Sequence, residues 1–403
     1  MILKVKPALF LKGQIHLPAS KSYSIRASII SACGGASSIK NLSDCDDAQV
    51  ARRIAHDLTK QSKVFQVGES GTTLRFLLPL LSLYTKTALV KGCGTLVGRP
   101  NVHLCESLRR QGMDIRGHGP KESVPIVYKG GELKGGLVDI DGSLSSQFIS
   151  SLLIALPQLK VDSSIVITGK EMVSADYIVM TNQILKLAGI RIKQVSPRKY
   201  LIKGNQKFKG LKNFTVPSDY GLAAFPMASA ALLPSKVVLK GHLKDDLIQS
   251  DGHILEFLKA MGVVFKKIST AIDIRGPFNL KGGTFSLKNS PDLVPIMAVL
   301  GLFAKGQTKL VDIHHARAKE SDRISDLREE LLKVGADVKE TENSLIITPK
   351  DSYKTNQLLD SHQDHRLAMA WTILGLKIGC QVKDIECVRK SYPSFVKDIK
   401  SLL

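Results

Sequence analysis

The chain repeats itself, and an internal repeat limits a fold more than any single motif can. A Lys-Gly pair, a short alternating strand, and a Ser or Asp opening an apolar helical stretch recur along it. They occur at Lys12-Gly13 before Ser20, Lys134-Gly135 before Ser145, Lys209-Gly210 before Ser218, and Lys281-Gly282 before Pro291-Asp292. Two more helix starts, Ser70-Gly71-Thr72 and Asp364-His365-Arg366, lack the Lys-Gly lead but fit the series. The starts fall at 20, 70, 145, 218, 291 and 364, with gaps of 50, 75, 73, 73 and 73 residues.

A second set is interleaved with the first. Strands ALVKG, IVITG, VVLKG and KLVDI each lead through a polar cap to a helix that stops at Gly112, Gly189, Gly262 or Gly335. The caps lie near 101, 175, 250 and 321, with outlying members near Asp46 and Ser391. Glycine after the last apolar turn stops a helix because it takes left-handed geometry at little cost. The expectation is an α/β chain of six units of about 73 residues, each with two helices and several strands, the first unit shortened. A length of 403 residues then suits two large domains.

Other classes drop out on composition. A hydrophobic content of 43% is ordinary for a globular chain and excludes disorder and collagen-like repeats. The longest apolar run, near Phe76–Leu83, is broken by Pro79 and falls short of the ~18 residues that cross a bilayer. The first residues, MILKVKPALFLKGQIHLP, carry neither a signal peptide nor a transit peptide, so the expected location is the cytoplasm, with no membrane partner. Six cysteines form no CxxC pair and have no His at metal-ligand spacing, which argues for reduced thiols and no metal. Lys and Arg number 57 against 36 Asp and Glu, a net charge of +21 that suits an anionic partner. With aromatics at 5%, no platform for stacking nucleic-acid bases is visible, and no nucleic-acid partner is expected.

The unusual residues cluster at the helix starts, where free N–H groups and a partial positive charge make anion sites. LPASKSYSIRAS, residues 17–28, brings Lys21, Ser22 and Arg26 to one helix end; GESGTTLRF, residues 68–76, brings Gly71, Thr72 and Arg75. DGSLSSQFISSLL, residues 141–153, opens on Ser145, Ser146 and Gln147, three hydrogen-bonding groups where one would cap the helix. ARAKESDRISDL, residues 316–327, packs Lys319, Glu320, Asp322 and Arg323 together, and an Arg at the positive end of a helix calls for an anion beside it. HQDHRLAMAW, residues 362–371, sets His365 and Arg366 before a wholly apolar helix. Asp292 and Lys390 complete a set of two candidate carboxylates, Asp292 and Glu320, among many cations. Such a set suits small substrates bearing several negative charges, with acid–base work done without a metal.

The segments LPASKS, GESGTTLR, GRP, DGSLSSQF, KESDR and DHR, with the C-terminal Lys390, run in order from Lys12 to Pro393. Together they resemble the 5-enolpyruvylshikimate-3-phosphate synthase family. The resemblance implies two similar domains, each of three βαβαββ repeats arranged as an inside-out α/β barrel. One domain would be residues 20–217, holding most shikimate 3-phosphate ligands. The other would join 1–19 to 218–403 and hold the phosphoenolpyruvate clamp and the catalytic carboxylates. The implied reaction adds the 5-hydroxyl of shikimate 3-phosphate to C2 of phosphoenolpyruvate and then expels phosphate, as a step toward chorismate and the aromatic amino acids, in a monomer with no cofactor.

Carried over by position, Lys21 touches both substrates and assists phosphate departure, Asp292 is the base on the hydroxyl, and Glu320 exchanges the proton at C3. Ser22, Arg26, Ser145, Ser146, Ser174, Tyr177, His315 and Lys319 resemble shikimate 3-phosphate ligands, as does Asp292. Gly71, Arg99, Arg323, Arg366 and Lys390 resemble the phosphoenolpyruvate clamp, and Gln147 reaches both. His315 stands where many members have Asn, and Glu69 where many have Asn or Asp.

Two alternatives stay open on sequence. The sister UDP-N-acetylglucosamine enolpyruvyl transferases share the fold and cosubstrate and carry a catalytic Cys shortly before Arg-Pro; here Cys93 precedes Arg99-Pro100 at a spacing one residue off, and the sister's Lys-Asn is replaced by Lys21-Ser22. A basic RNA-binding or RNA-processing protein on a related scaffold draws on the +21 charge alone.

Overall fold

The computed structural model describes residues 1–403 and divides into two compact units, Ser20–Val216 and a split unit of Met1–Ala19 with Pro217–Leu403. Ser20–Val216 holds helices α1 (Lys21–Ala32), α2 (Asp46–Thr59), α3 (Gly71–Tyr84), α4 (Val102–Arg110), α5 (Ser146–Ala155) and α6 (Ala175–Leu187). The split unit holds α7 (Tyr220–Leu232), α8 (Ile254–Ala260), α9 (Val294–Leu302), α10 (Arg323–Lys333), α11 (His365–Ile378) and α12 (Phe395–Lys400). These are the six helix pairs the repeat calls for.

Four sheets share one topology. In each, two parallel strands flank a helix, and an antiparallel hairpin returns beside the second strand. Thus Val64–Gln66 runs parallel to Ala88–Lys91, which pairs antiparallel with Ser123–Gly130, with Asp114–His118 at the edge. Gly136–Asp141 and Ser163–Thr168 begin a second such sheet, and Thr284–Ser286 with Thr308–Val311 a third. In the fourth, Leu11–His16 lies parallel to Ser235–Lys240, so this repeat is interrupted by the whole of the other unit. Two units of the repeat are reduced. The first keeps a two-stranded ladder, Ile39–Lys40 with Phe214–Thr215. The last has three strands, one of them Ile2–Val5 paired with Cys380–Lys383. The sheets stay separate, and none closes into a barrel.

Sequence pattern explains which helices lie inside. α9 (VPIMAVLGL) and α7 are buried at every residue, and α11 at twelve of its fourteen. A helix apolar on all sides belongs in an interior. The helices of the second set are amphipathic: α2 buries Asp47, Ala48, Ala51, Ile54 and Leu58 and leaves the opposite face polar. Gly112, Gly189, Gly262 and Gly335, read from sequence as helix stops, all adopt positive φ (99°, 86°, 92° and 78°). No helix is long and apolar enough to cross a membrane.

The one tryptophan, Trp371 on α11, is fully buried, and its indole N–H donates to the Asp360 carbonyl at 2.9 Å. Trp371→Ala should therefore cost about 3–5 kcal/mol. Urea unfolding followed by far-UV circular dichroism will measure this, and a loss under 1 kcal/mol, roughly a surface substitution's effect, would mean the packing is misread.

Candidate active site

Within Ser20–Val216 the first-set helices present their N-termini to a common end. Arg75 of α3 and Gln147 of α5 meet at 2.7 Å, and the Gln147 amide donates to Thr72 at 2.9 Å, joining the first turns of the two helices. Arg75 also donates to the Asn101 side chain and the Pro100 carbonyl, and stacks over Phe148. On α1, Arg26 donates to the Thr181 hydroxyl and to the Ser22 and Tyr177 carbonyls, with its guanidinium over the Phe76 and Tyr177 rings. Thr181 in turn donates to Ser150 of α5. A chain of side chains therefore ties α1, α6, α5 and α3 together, and α3 and α5 are joined at their first turns.

The residues singled out from sequence fall along that end. Lys21 is the first residue of α1, and its ammonium lies 3.1 Å from Asp47 of α2. Ser22 follows it, half-buried. Ser145 caps α5 by accepting from the Gln147 N–H, and Ser146 is its buried first residue. Ser174 precedes α6 in left-handed geometry, φ 55°, and makes no cap bond; Tyr177 lies one turn on. Gly71 opens α3, and a Cβ there would lie 3.0 Å from the Arg99 guanidinium, so glycine leaves Arg99 room to lie against this helix end. Arg26 is held by partners within this unit. It is 1% exposed, its nitrogens are all bonded to protein, and burial lowers its pKa to about 10 against the raising pull of Tyr23 and Tyr177. Its position makes it the tie between α1 and α6.

In the split unit the equivalent ends are joined by charge. Arg323, the first residue of α10, has no exposed side-chain surface. It reaches Asp292, in the short turn Pro291–Leu293 before α9, at 2.8 Å, Glu320 at 2.9 Å and Asp364, the cap of α11, at 2.7 Å. Arg366 on α11 donates to the other Asp292 oxygen at 2.9 Å and to the Gly221 carbonyl of α7 at 2.6 Å. One network thus gathers α7, α9, α10 and α11. Burial works against the charge of Arg323, yet Asp364, Asp292 and Glu320 hold its pKa well above that of a free guanidinium. Burial likewise works against the charge of Asp292, but Arg366, Arg323 and Lys319 prevail and hold its carboxyl well below the usual range.

His315 lies 1% exposed beside this network, with both ring nitrogens lacking a protein partner. Burial first, then Lys319 and His314, press its pKa down to about 2, so the ring is neutral at any physiological pH. Lys390 is buried at the end of the turn Ile385–Lys390, packed beside α11. No group of three or more His, Cys, Asp or Glu is arranged to hold a metal ion.

Sequence reasoning passed over Asp47, which pairs with Lys21. Asp364 was read only as a helix start, because its bond to Arg323 spans 41 residues.

Residues 48–399 match the family described as EPSP synthase (3-phosphoshikimate 1-carboxyvinyltransferase). A 3-phosphoshikimate 1-carboxyvinyltransferase of Methanococcus vannielii is 34% identical over 426 aligned positions, covering 100% of this chain and 98% of that protein. One from Methanocaldococcus jannaschii is 34% identical with the same coverage. Among solved structures, an EPSP synthase of Acinetobacter baumannii superposes with TM-score 0.80 at 25% identity, covering 100% of this chain and 98% of that one. The enolpyruvyl transferase NikO of Streptomyces tendae, at 16% identity and TM-score 0.78, shares the fold over 100% of this chain and 97% of its own.

The Asp292 ion pairs set a pH dependence whose sign follows from its depressed pKa. Their contribution is complete above the ordinary carboxylate value near ~4 and is lost as pH falls through the lower, folded-state value. Asp292→Asn should therefore lower stability by about 1.5–3 kcal/mol near neutral pH. The gap to the parent chain should narrow below about pH 4. Urea unfolding of both chains across that range checks it; a gap that widens in acid would contradict the assignment.

Proposed function

Because the chain belongs to the EPSP synthase family, it transfers the enolpyruvyl group of phosphoenolpyruvate to shikimate 3-phosphate, and we propose that its helix-end residues divide that work as follows. The phosphoenolpyruvate methylene takes a proton at C3, the 5-hydroxyl of the acceptor adds to C2 and gives up its proton, and a tetrahedral adduct forms. Loss of a proton from C3 and departure of phosphate then give the enol ether. Two phosphates and two carboxylates must lie close together, so their repulsion has to be offset by fixed cations.

In this reading Asp292 takes the hydroxyl proton, Glu320 exchanges the proton at C3, and Lys21 supports the leaving phosphate. Gly71, Arg99, Arg323, Arg366 and Lys390 hold phosphoenolpyruvate, with Gln147 reaching both substrates. Ser22, Arg26, Ser145, Ser146, Ser174, Tyr177, His315 and Lys319 hold shikimate 3-phosphate. Most acceptor ligands then belong to Ser20–Val216, and the catalytic carboxylates to the split unit.

The observation that supports this best is the pairing of Asp292 with both Arg323 and Arg366, at 2.8 and 2.9 Å. A carboxylate so held is a weak base. An anionic substrate that takes over the charge of these guanidiniums raises the Asp292 pKa, so base strength arrives together with the substrate. Without substrate, burial keeps the His315 ring neutral, which fits a hydrogen-bonding role.

Phosphate release from phosphoenolpyruvate should occur with shikimate 3-phosphate and not with UDP-N-acetylglucosamine; release with the sugar nucleotide alone would favour the sister reaction. Asp292→Ala and Glu320→Ala should each lower kcat by about 10²–10⁴-fold. A variant retaining full kcat would remove that residue from the proposed chemistry.

A further inference from the structure

Arg99 reaches the α3 end from a loop, and that loop is fastened by a residue outside the set described so far. The fastening uses the two residues just before the cap of α3. The Cys93 N–H donates to the Gly68 carbonyl at 2.9 Å. The Thr95 N–H and hydroxyl both donate to one oxygen of Glu69, Oε2, at 2.9 and 2.8 Å. Gly94, at φ +54°, packs so tightly on the Glu69 carboxyl that a Cβ there would overlap it. Between these pins and Arg99 the backbone closes in consecutive turns, Leu96 N–H to Cys93, Val97 N–H to Gly94 and Arg99 N–H to Leu96, with the Leu96 side chain buried. The guanidinium that emerges lies against Gly71, two residues on from Glu69.

We propose that Glu69 is the positioning residue for Arg99: it locks the loop of residues 93–98 to the start of α3, so that the guanidinium and the helix N-terminus present to the anion as one rigid surface. A loop alone gives a long cation many placements, and displacement by about 1 Å can cost a hundredfold in effectiveness. The carboxylate accepts two bonds from Thr95 on one oxygen. An amide oxygen can supply the same two bonds. In this proposal those bonds, rather than charge, carry the role.

This inference rests on the reading of Arg99 as part of the phosphoenolpyruvate clamp, and the experiment separates the two. Steady-state kinetics are measured for Arg99→Ala, Glu69→Ala, Glu69→Gln and Gly94→Ala with both substrates varied. The expected result is a rise of about 10- to 100-fold in KM for phosphoenolpyruvate in Glu69→Ala and Gly94→Ala, with KM for shikimate 3-phosphate unchanged. Glu69→Gln should recover most of the loss. If Arg99→Ala raises the phosphoenolpyruvate KM but Glu69→Ala does not, the positioning role is overturned while the clamp stands. If Glu69→Gln is as impaired as Glu69→Ala, the carboxylate acts through charge and the inference fails. If Arg99→Ala itself leaves that KM unchanged, the clamp reading fails instead. Should Glu69→Ala not fold, Thr95→Val removes only the hydroxyl bond, and its smaller rise in the same KM serves the same test.

Discussion

A guanidinium removed from water has to be met by protein acceptors, and Arg323 has three carboxylates, each on a different segment of the split unit. Desolvating such charges costs several kcal/mol per ion, which close pairing has to offset. The turn before α9, the start of α10 and the cap of α11 are therefore held in one geometry, and Arg366 extends the hold to α7. In Ser20–Val216 the same task falls to neutral and singly charged groups, Gln147 between Arg75 and Thr72, and Arg26 against Thr181. The repeat thus uses one scaffold with two kinds of fastening, chiefly ion pairs in the split unit and chiefly hydrogen bonds in Ser20–Val216, where Lys21–Asp47 is an ion pair.

That difference sets what each unit can offer an anion. The ion-paired ends carry cations already balanced by carboxylates that can act on protons. The hydrogen-bonded ends carry serines, an amide and helix N–H groups, which recognise phosphate and hydroxyl oxygens without a proton of their own to lose at neutral pH. The proposed division of labour between recognition and proton transfer rests on this difference in side-chain chemistry at equivalent points of a repeated frame.

Much of this frame was legible in the sequence because its signals are local. A glycine closing a helix, a serine or aspartate opening one, and an apolar stretch between them are set within a few residues, and Gly112, Gly189, Gly262 and Gly335 kept their assigned places. Long-range pairing was not legible. An arginine at the start of α10 called for an anion, and the sequence suggested a ligand; it did not show that three protein carboxylates, Asp292, Glu320 and Asp364, also lie beside it. Nothing nearby in the chain reveals that Thr181, 155 residues on, takes the Arg26 Nε–H. The reduced sheet of the first unit was foreseen from its short spacing. That of the last unit was not, because one of its strands comes from the opposite end of the chain.

The interrupted repeat also orders events in time. Leu11–His16 has its parallel neighbour at Ser235–Lys240, and Ile2–Val5 has its neighbour at Cys380–Lys383. A ribosome delivers Ser20–Val216 complete before it delivers either neighbour, so that unit can fold while the first two strands are still single. Lysines at positions 4, 6 and 12 stud that early segment, and charge of this kind keeps an unpaired strand from joining the wrong edge. The strands that precede Ser20–Val216 are thus paired only after their partners beyond it have been made.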